Sequence, residues 1–284
     1  PCRCASACQP IAARLASAAG YPMFCRMWTV PAAIPRTALV TGGSKRIGRA
    51  IALGLAEAGF DVAVHFHTSA AEASATVEAI TARGRRGVAL GADLACEDEV
   101  ARLVPAAVEA LGPIGVLVNN ASTFERDEWH DATRVSWDAH LEANLRAPFV
   151  LTQALAHALP ADAEGAVINL LDQRVWNLTP HFVSYTVSKA GLWALTQTLA
   201  LALAPRIRVN GIGPGPTLAN TRQQPSDFAR QAEAVLLRRG PGLDEFGRTI
   251  RYLWDTPSIT GQMIALDGGQ HLSWQTPDIY GIAE

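Results

Sequence analysis

The body of this 284-residue chain has almost no cysteine. Four of the five (Cys2, Cys4, Cys8 and Cys25) lie in the first 25 residues and only Cys96 falls later, which excludes a disulfide framework for the fold. No apolar run reaches the roughly 18 to 20 residues that a membrane span needs, so a soluble, cytoplasmic protein with no membrane partner is expected. Basic charge is not in excess either. The net charge is −2, leaving no electrostatic footprint for nucleic acid. His130, His140, His157, His181 and His271 show no spacing that binds a metal, and no fourth ligand follows Cys2, Cys4 and Cys8 at finger-like spacing.

The leader from Pro1 to about Pro35 contains no Asp or Glu and is rich in Ala, Arg and Cys. That composition allows a transit-type segment. It suits equally a disordered extension outside the fold, upstream of a start at Met23 or Met27. From 36 to 284, strand and helix patterns alternate with no repeat and no linker. The pattern predicts a single domain of α/β class, one doubly wound parallel sheet.

Arg36 to Thr41 reads as a short apolar strand running into Thr41-Gly42-Gly43-Ser44-Lys45-Arg46-Ile47-Gly48 and then an Ala/Leu-rich helix ending near Gly59. Strand, glycine turn and helix in that order form a phosphate site. Bare glycine backbone admits a pyrophosphate, and the helix amino end supplies N–H groups and positive dipole. The second strand, Asp61 to Phe66, should carry an Asp or Glu at its end if a ribose 2′-hydroxyl is to be held. It offers His65, His67, Thr68 and Ser69 instead, with Lys45 and Arg46 across the gap. A 2′-phosphate meets no repelling carboxylate there, so NADPH is the expected cofactor, although His67 could also simply alternate on a strand surface.

Ala70 to Arg83 reads as a helix and Gly87 to Leu90 as the third strand. Asp93 and Leu94 follow it; Asp93 could accept an adenine amino group or cap the helix beginning near Glu97. Gly115 to Val118 is the fourth strand, closing on Asn119-Asn120-Ala121-Ser122-Thr123-Phe124, where small residues would let a nicotinamide ribose approach. Phe124 offers a ring face to a planar ligand, or is core. Arg134 to Leu159 reads as one long helix carrying Asn144, a buried amide that must be satisfied.

The densest chemistry follows. Ala166 to Leu171 is a buried strand ending at Asp172, and Phe182 to Ala204 is an apolar-faced helix on which Tyr185 and Lys189, four apart, share a face. A carboxyl, a phenol and an ammonium thus converge at the carboxyl end of a parallel strand, where open α/β sheets hold ligands. Asp172 could instead cap a turn. Ile207 to Ile212 is a sixth strand ending at Gly213-Pro214-Gly215-Pro216, a rigid turn that could wall the nicotinamide. Leu218 to about Gly242 suits a mobile flap, Asp244 to Trp254 is a helix, and a last strand closes on Asp267-Gly268-Gly269.

The Thr41-Gly42-Gly43-…-Gly48 loop, Asn119-Asn120-Ala121, Tyr185-x-x-x-Lys189, the Pro214-Gly215 turn and Asp267-Gly268-Gly269 resemble the short-chain dehydrogenase/reductase family over about 36 to 270. The resemblance implies a seven-stranded Rossmann-type sheet and often a homotetramer built through two long helices. Two departures from the common pattern stand out: Arg46 replaces a small residue, and Asp172 replaces the serine thirteen positions before the tyrosine. Both, with His65-Phe66-His67 and Ser122-Thr123-Phe124, are similar to pteridine reductases. That likeness implies that Arg46 touches pyrophosphate and substrate, that Ser122 and Phe124 hold and stack a pterin, and that Asp172, Tyr185 and Lys189 relay protons. Lys189 would make the phenol more acidic and hold the nicotinamide ribose. Thr68 stands where these reductases can carry an arginine.

The chemistry agrees with the departure. A carboxylate in place of the serine opposes the negative oxygen of ketone reduction, whereas reducing the C=N bond of a dihydropterin delivers hydride to carbon and a proton to nitrogen, which suits an acid. The expected activity is NADPH-dependent reduction of a dihydropterin of dihydromonapterin, dihydrobiopterin or dihydrofolate type. A reductase of another small carbonyl compound and a non-catalytic NADPH-sensing regulator are the alternatives.

Overall fold

The strands of this chain are apolar on both faces, which only a sheet covered on both sides can satisfy. In the computed structural model, residues 33–219 and 223–273 are described, and seven strands among them form one parallel sheet in the order β3-β2-β1-β4-β5-β6-β7. They are β1 (Thr37–Val40), β2 (Asp61–Phe66), β3 (Gly87–Gly91), β4 (Val116–Asn119), β5 (Gly165–Leu170), β6 (Ile207–Pro214) and β7 (Met263–Leu266). Because successive strand residues point to opposite faces, Leu39, Leu117 and Val167 enter one core with helices α3 (Glu97–Leu111), α5 (Ala147–Ala158) and α6 (Val183–Leu203). Their neighbours Ala38, Val40, Val116, Val118 and Ile168 enter the other, with α1 (Arg46–Glu57), α2 (Ala70–Thr81) and α8 (Leu243–Asp255).

The expected sheet is therefore the observed one. The readings of the leader up to residue 32 lie outside the described residues. The chain order reverses between β1 and β4, and the loops after both strands open on the same end of the sheet, which is where a doubly wound fold binds its ligand.

The helix expected over 134–159 is interrupted. α4 (Arg134–Leu141) and α5 are joined by a π-helical turn, Glu142–Arg146. Pro148 at the start of α5 has no N–H to give an unbroken α-helix, and a wider turn accommodates it. The same turn aims Asn144 at the loop after β4. Its Oδ1 accepts from Thr123 N at 2.8 Å, and its Nδ2 donates to Thr123 O at 2.9 Å and Ser188 Oγ at 3.0 Å. Asn144 thus pins that loop to α6. Within 218–242, α7 (Pro225–Glu233) is a short helix with no buried residue.

Candidate active site

The turn between β1 and α1 is shaped by close approach. A Cβ on Gly48 would lie 2.0 Å from Gly42 O and 2.6 Å from Asn120 Nδ2, and Gly42 itself has φ +60. Thr41 Oγ1 accepts from Asn120 N (2.9 Å) and Ala121 N (3.0 Å), tying the ends of β1 and β4 together. The Asn120 amide donates to Thr41 O at 2.8 Å. A backbone so stripped of side chains, opening on the amino end of α1, can seat a dinucleotide pyrophosphate.

A cavity of about 400 Å³ lies over this turn. It brings together Gly42, Ser44, Lys45, Arg46, Ile47, Gly48, His65, His67, Thr68, Ser69, Asp93, Leu94, Asn120, Ala121 and Ser122. Lys45 Nζ donates to Ser69 Oγ at 2.9 Å, carrying a positive charge to the end of β2. No carboxylate is supplied by that strand end; Asp93, after β3, stands 3.9 Å from His67 Nε2.

His65 does not face a 2′-phosphate as expected. It is 1% exposed, its Nδ1 accepts from Gly42 N at 3.1 Å, and its Nε2 bonds Ala92 O at 3.0 Å. A carbonyl can only accept, so Nε2 carries the hydrogen and the ring braces the glycine turn as a neutral imidazole. Burial drives its pKa below the ordinary 6.5 and outweighs the Ala92 bond, which acts the other way. Asp93 does not cap α3; its Oδ1 accepts from Ala95 N at 2.9 Å in the turn before it.

A second cavity of about 610 Å³ adjoins the first through Arg46 and Ile47, which line both. Asp172, Tyr185, Phe124, Pro214 and Gly215 lie on its wall, so the Pro214-Gly215 turn faces this side. Tyr185 OH donates to Asp172 Oδ2 at 2.9 Å. Asp172 also fulfils the capping reading: its Oδ1 accepts from Arg174 N at 2.9 Å at the start of a 3₁₀ turn, Gln173–Val175. One carboxyl oxygen holds the backbone and the other holds the phenol. Gln173 lines the cavity with a buried Oε1 that meets no donor among the described residues.

Several placements differ from expectation. Lys189 is 3% exposed and its Nζ donates inward to Leu170 O at 2.7 Å. Burial lowers its pKa from 10.5 to about 8 against the pull of Asp172. The phenol is not made more acidic by it. Burial, then the charge of Asp172 and its hydrogen bond, push the Tyr185 pKa well above 10.0, and the cation opposing this is Arg174. Ser122 sits on the first cavity, with its Oγ on Thr123 O at 3.2 Å, and does not line the second. Phe124 has one face stacked on Phe182 (4.7 Å, 14°) and meets the Tyr185 ring edge-on at 4.6 Å. Arg46, at φ 53, gives its guanidinium to Ala219 O (2.9 Å) and Leu218 O (3.2 Å).

Sequence reasoning missed the group that sets the first turn of α6. Asp127, 3% exposed, accepts from Ser184 N (3.1 Å), Ser184 Oγ and Ser136 Oγ (3.1 Å). Its neighbour in this network, His140, reaches Ser184 Oγ at 2.7 Å. The contacts of Asp127 and His140 with Ser184 span 57 and 44 residues of chain, and no local pattern announces them. Phe182, at φ 57, stands just before α6 and so lies outside the helical spacing that pairs Tyr185 with Lys189.

The model of the short chain dehydrogenase family matches residues 36–229, and the chain belongs to that family. The 3-oxoacyl-[acyl-carrier-protein] reductase FabG of Staphylococcus epidermidis is 34% identical over 242 residues, covering 84% of this chain and 99% of that protein. Among solved structures, FolM alternative dihydrofolate reductase 1 from Brucella canis, complexed with NADP, is 50% identical. Its TM-score is 0.85, and the match covers 88% of this chain and all of that one. The Brucella suis protein of the same name, also with NADP, is 52% identical with a TM-score of 0.84 over 88% of this chain and 100% of that one. The chain is an oxidoreductase of this family.

Proposed function

We propose that the protein is an NADPH-dependent reductase of a dihydropterin. The observation that carries this reading is the 2.9 Å hydrogen bond from the Tyr185 hydroxyl to Asp172 Oδ2 on the wall of the second cavity. The NADP-bound relatives of about half identity, named as alternative dihydrofolate reductases, support it. So do Lys45 at the end of β2 and the lack of an acid on that strand end. The same reading takes the assembly as a homotetramer through α5 and α6, for which the 84% exposed Leu201 on α6 is a supporting feature, and the location as cytoplasmic.

NADPH supplies the hydride when bound. The first cavity would hold it: Gly42 and Gly48 would clear the path for pyrophosphate, Ser44 to Ile47 would present the amino end of α1, and Lys45 with Thr68 and Ser69 would meet the 2′-phosphate. Arg46 closes the boundary toward substrate. On the other side, the hydrogen-bonded pair of Asp172 and Tyr185 would hand a proton drawn from solvent to the ring nitrogen of the C=N bond as carbon gains the hydride. The Asp172 carboxylate is faced by two donors, the Tyr185 hydroxyl and the Arg174 N–H, so its charge is stabilised without rearrangement. Tyr185, whose proton is firmly held, steadies that carboxylate and passes a proton on only as it regains one from solvent. Phe124 and Phe182 offer an apolar wall that orients a flat ring.

The relation to 3-oxoacyl reductases favours a second reading, reduction of a ketone, in which Asp172 would oppose the developing oxyanion. A panel of dihydropterins, 3-oxoacyl thioesters and other ketones, run with NADPH and NADH in parallel, separates the two. Dihydropterin turnover with NADPH is expected, and turnover of ketones alone would overturn the assignment. Asp172→Ser should lower pterin turnover by about a hundredfold while leaving NADPH affinity nearly unchanged.

A further inference from the structure

Within the reading just given, we infer that Arg174 forms a carboxylate-binding subsite on the wall of the second cavity, selecting dihydropterins that carry an anionic tail. Its guanidinium lies over the stacked pair of rings, 5.6 Å from the Phe124 centroid and 5.2 Å from that of Phe182. Nη1 is buried and makes no hydrogen bond among the described residues. Among the described residues no carboxylate is paired with it.

Among the described residues, the other arginines lining this cavity are engaged. Arg126 pairs with Glu128 at 2.8 Å, and Arg46 is held by the carbonyls of Leu218 and Ala219. Asp172, the acid beside Arg174, has its two oxygens committed to Arg174's own backbone N–H and to Tyr185. What holds the Arg174 side chain is therefore two aromatic faces, which position a cation without satisfying its donors.

A buried donor left unpaired is costly, and a guanidinium fork matches a carboxylate with two parallel bonds. A ligand that engages this fork from the cavity brings an anion to a point beside two phenyl rings, close to the Asp172 carboxyl. A pterin whose substituent is a flat aryl group ending in carboxylates fits both requirements. A pterin with a short neutral side chain fills the reacting end and leaves Arg174 as it is.

The test compares dihydrofolate, which has the acidic tail, with dihydrobiopterin, which does not. Arg174→Gln should shift the ratio of kcat/KM for the two substrates against dihydrofolate by about ten- to a hundredfold, and Arg174→Lys should fall between the two proteins. Equal losses on both substrates would overturn the subsite and leave Arg174 acting on the phenol alone. Dissociation constants of oxidised folate and biopterin, read by tryptophan quenching, give the same comparison without turnover. If the wild-type protein reduces neither substrate, the reductase reading fails while this binding comparison still decides the subsite. Folate bound no more tightly than biopterin by the wild type would refute it.

Discussion

Lys189 carries a charge in a place that resists charge, and the consequence can be measured as stability. Burial lowers its ammonium from 10.5 to about 8. Between those values the unfolded chain holds more protons than the folded one, so stability rises with pH through this window and is least below about 8. From about pH 7.5 to about pH 9.5 the gain is about 2 kcal/mol. Tyr185 has the opposite sign. Its folded value lies well above 10.0, so the unfolded phenol loses its proton first and stability falls above about pH 10. The chosen window stops short of that. Urea denaturation of the wild type and Lys189→Met across this range should show the stability difference between them changing by about 2 kcal/mol in favour of the wild type. A difference that stays flat would refute the account of a buried, charged amine held on Leu170 O. Asp172→Asn removes the charge that supports the ammonium, and should move the rise to lower pH.

Two other perturbations test the frame around the site. Gly48→Ala places a methyl 2.0 Å from Gly42 O, and backbone cannot yield as a side chain can. It should destabilise the protein by about 3 kcal/mol and weaken NADPH binding at least about tenfold, read by denaturation and cofactor fluorescence. Asp127→Asn weakens the acceptor that organises the first turn of α6, at about 1 to 3 kcal/mol, and should lower kcat more than it raises the KM for NADPH. Burial pushes the Asp127 pKa up, but bonds from Ser184 and Ser136 and the nearby His140 outweigh it and hold the group below 3.8. Its contribution is therefore present above about 3.8 and lost as pH falls through the lower folded value, so wild type and variant should converge in acid. Equal stability of the two at neutral pH would show that the carboxylate is not what sets this turn.

Much of the fold was legible because each element satisfies its own pattern. β2 runs over Asp61–Phe66 as read, and α6 differs from its expected span by a residue at each end. The strand–glycine–helix order and the four-residue spacing of Tyr185 and Lys189 are local, and local periodicity determines them. The break at Glu142–Arg146 was not legible as such. Asn144 and Pro148 hinted at it, but the π turn depends on what the amide meets across the fold.

The chain's own order of residues determined the parallel sheet, the glycine cradle, the missing acid after β2 and the presence of an acid in the serine's place. Only the tertiary structure decided what those groups do to one another. It turned His65 inward as a brace, buried Lys189 on a carbonyl, and left Arg174 over two rings with no anion among the described residues. A side chain's charge state and free valences depend on which distant atoms surround it, and that information lies in packing rather than in any window of sequence.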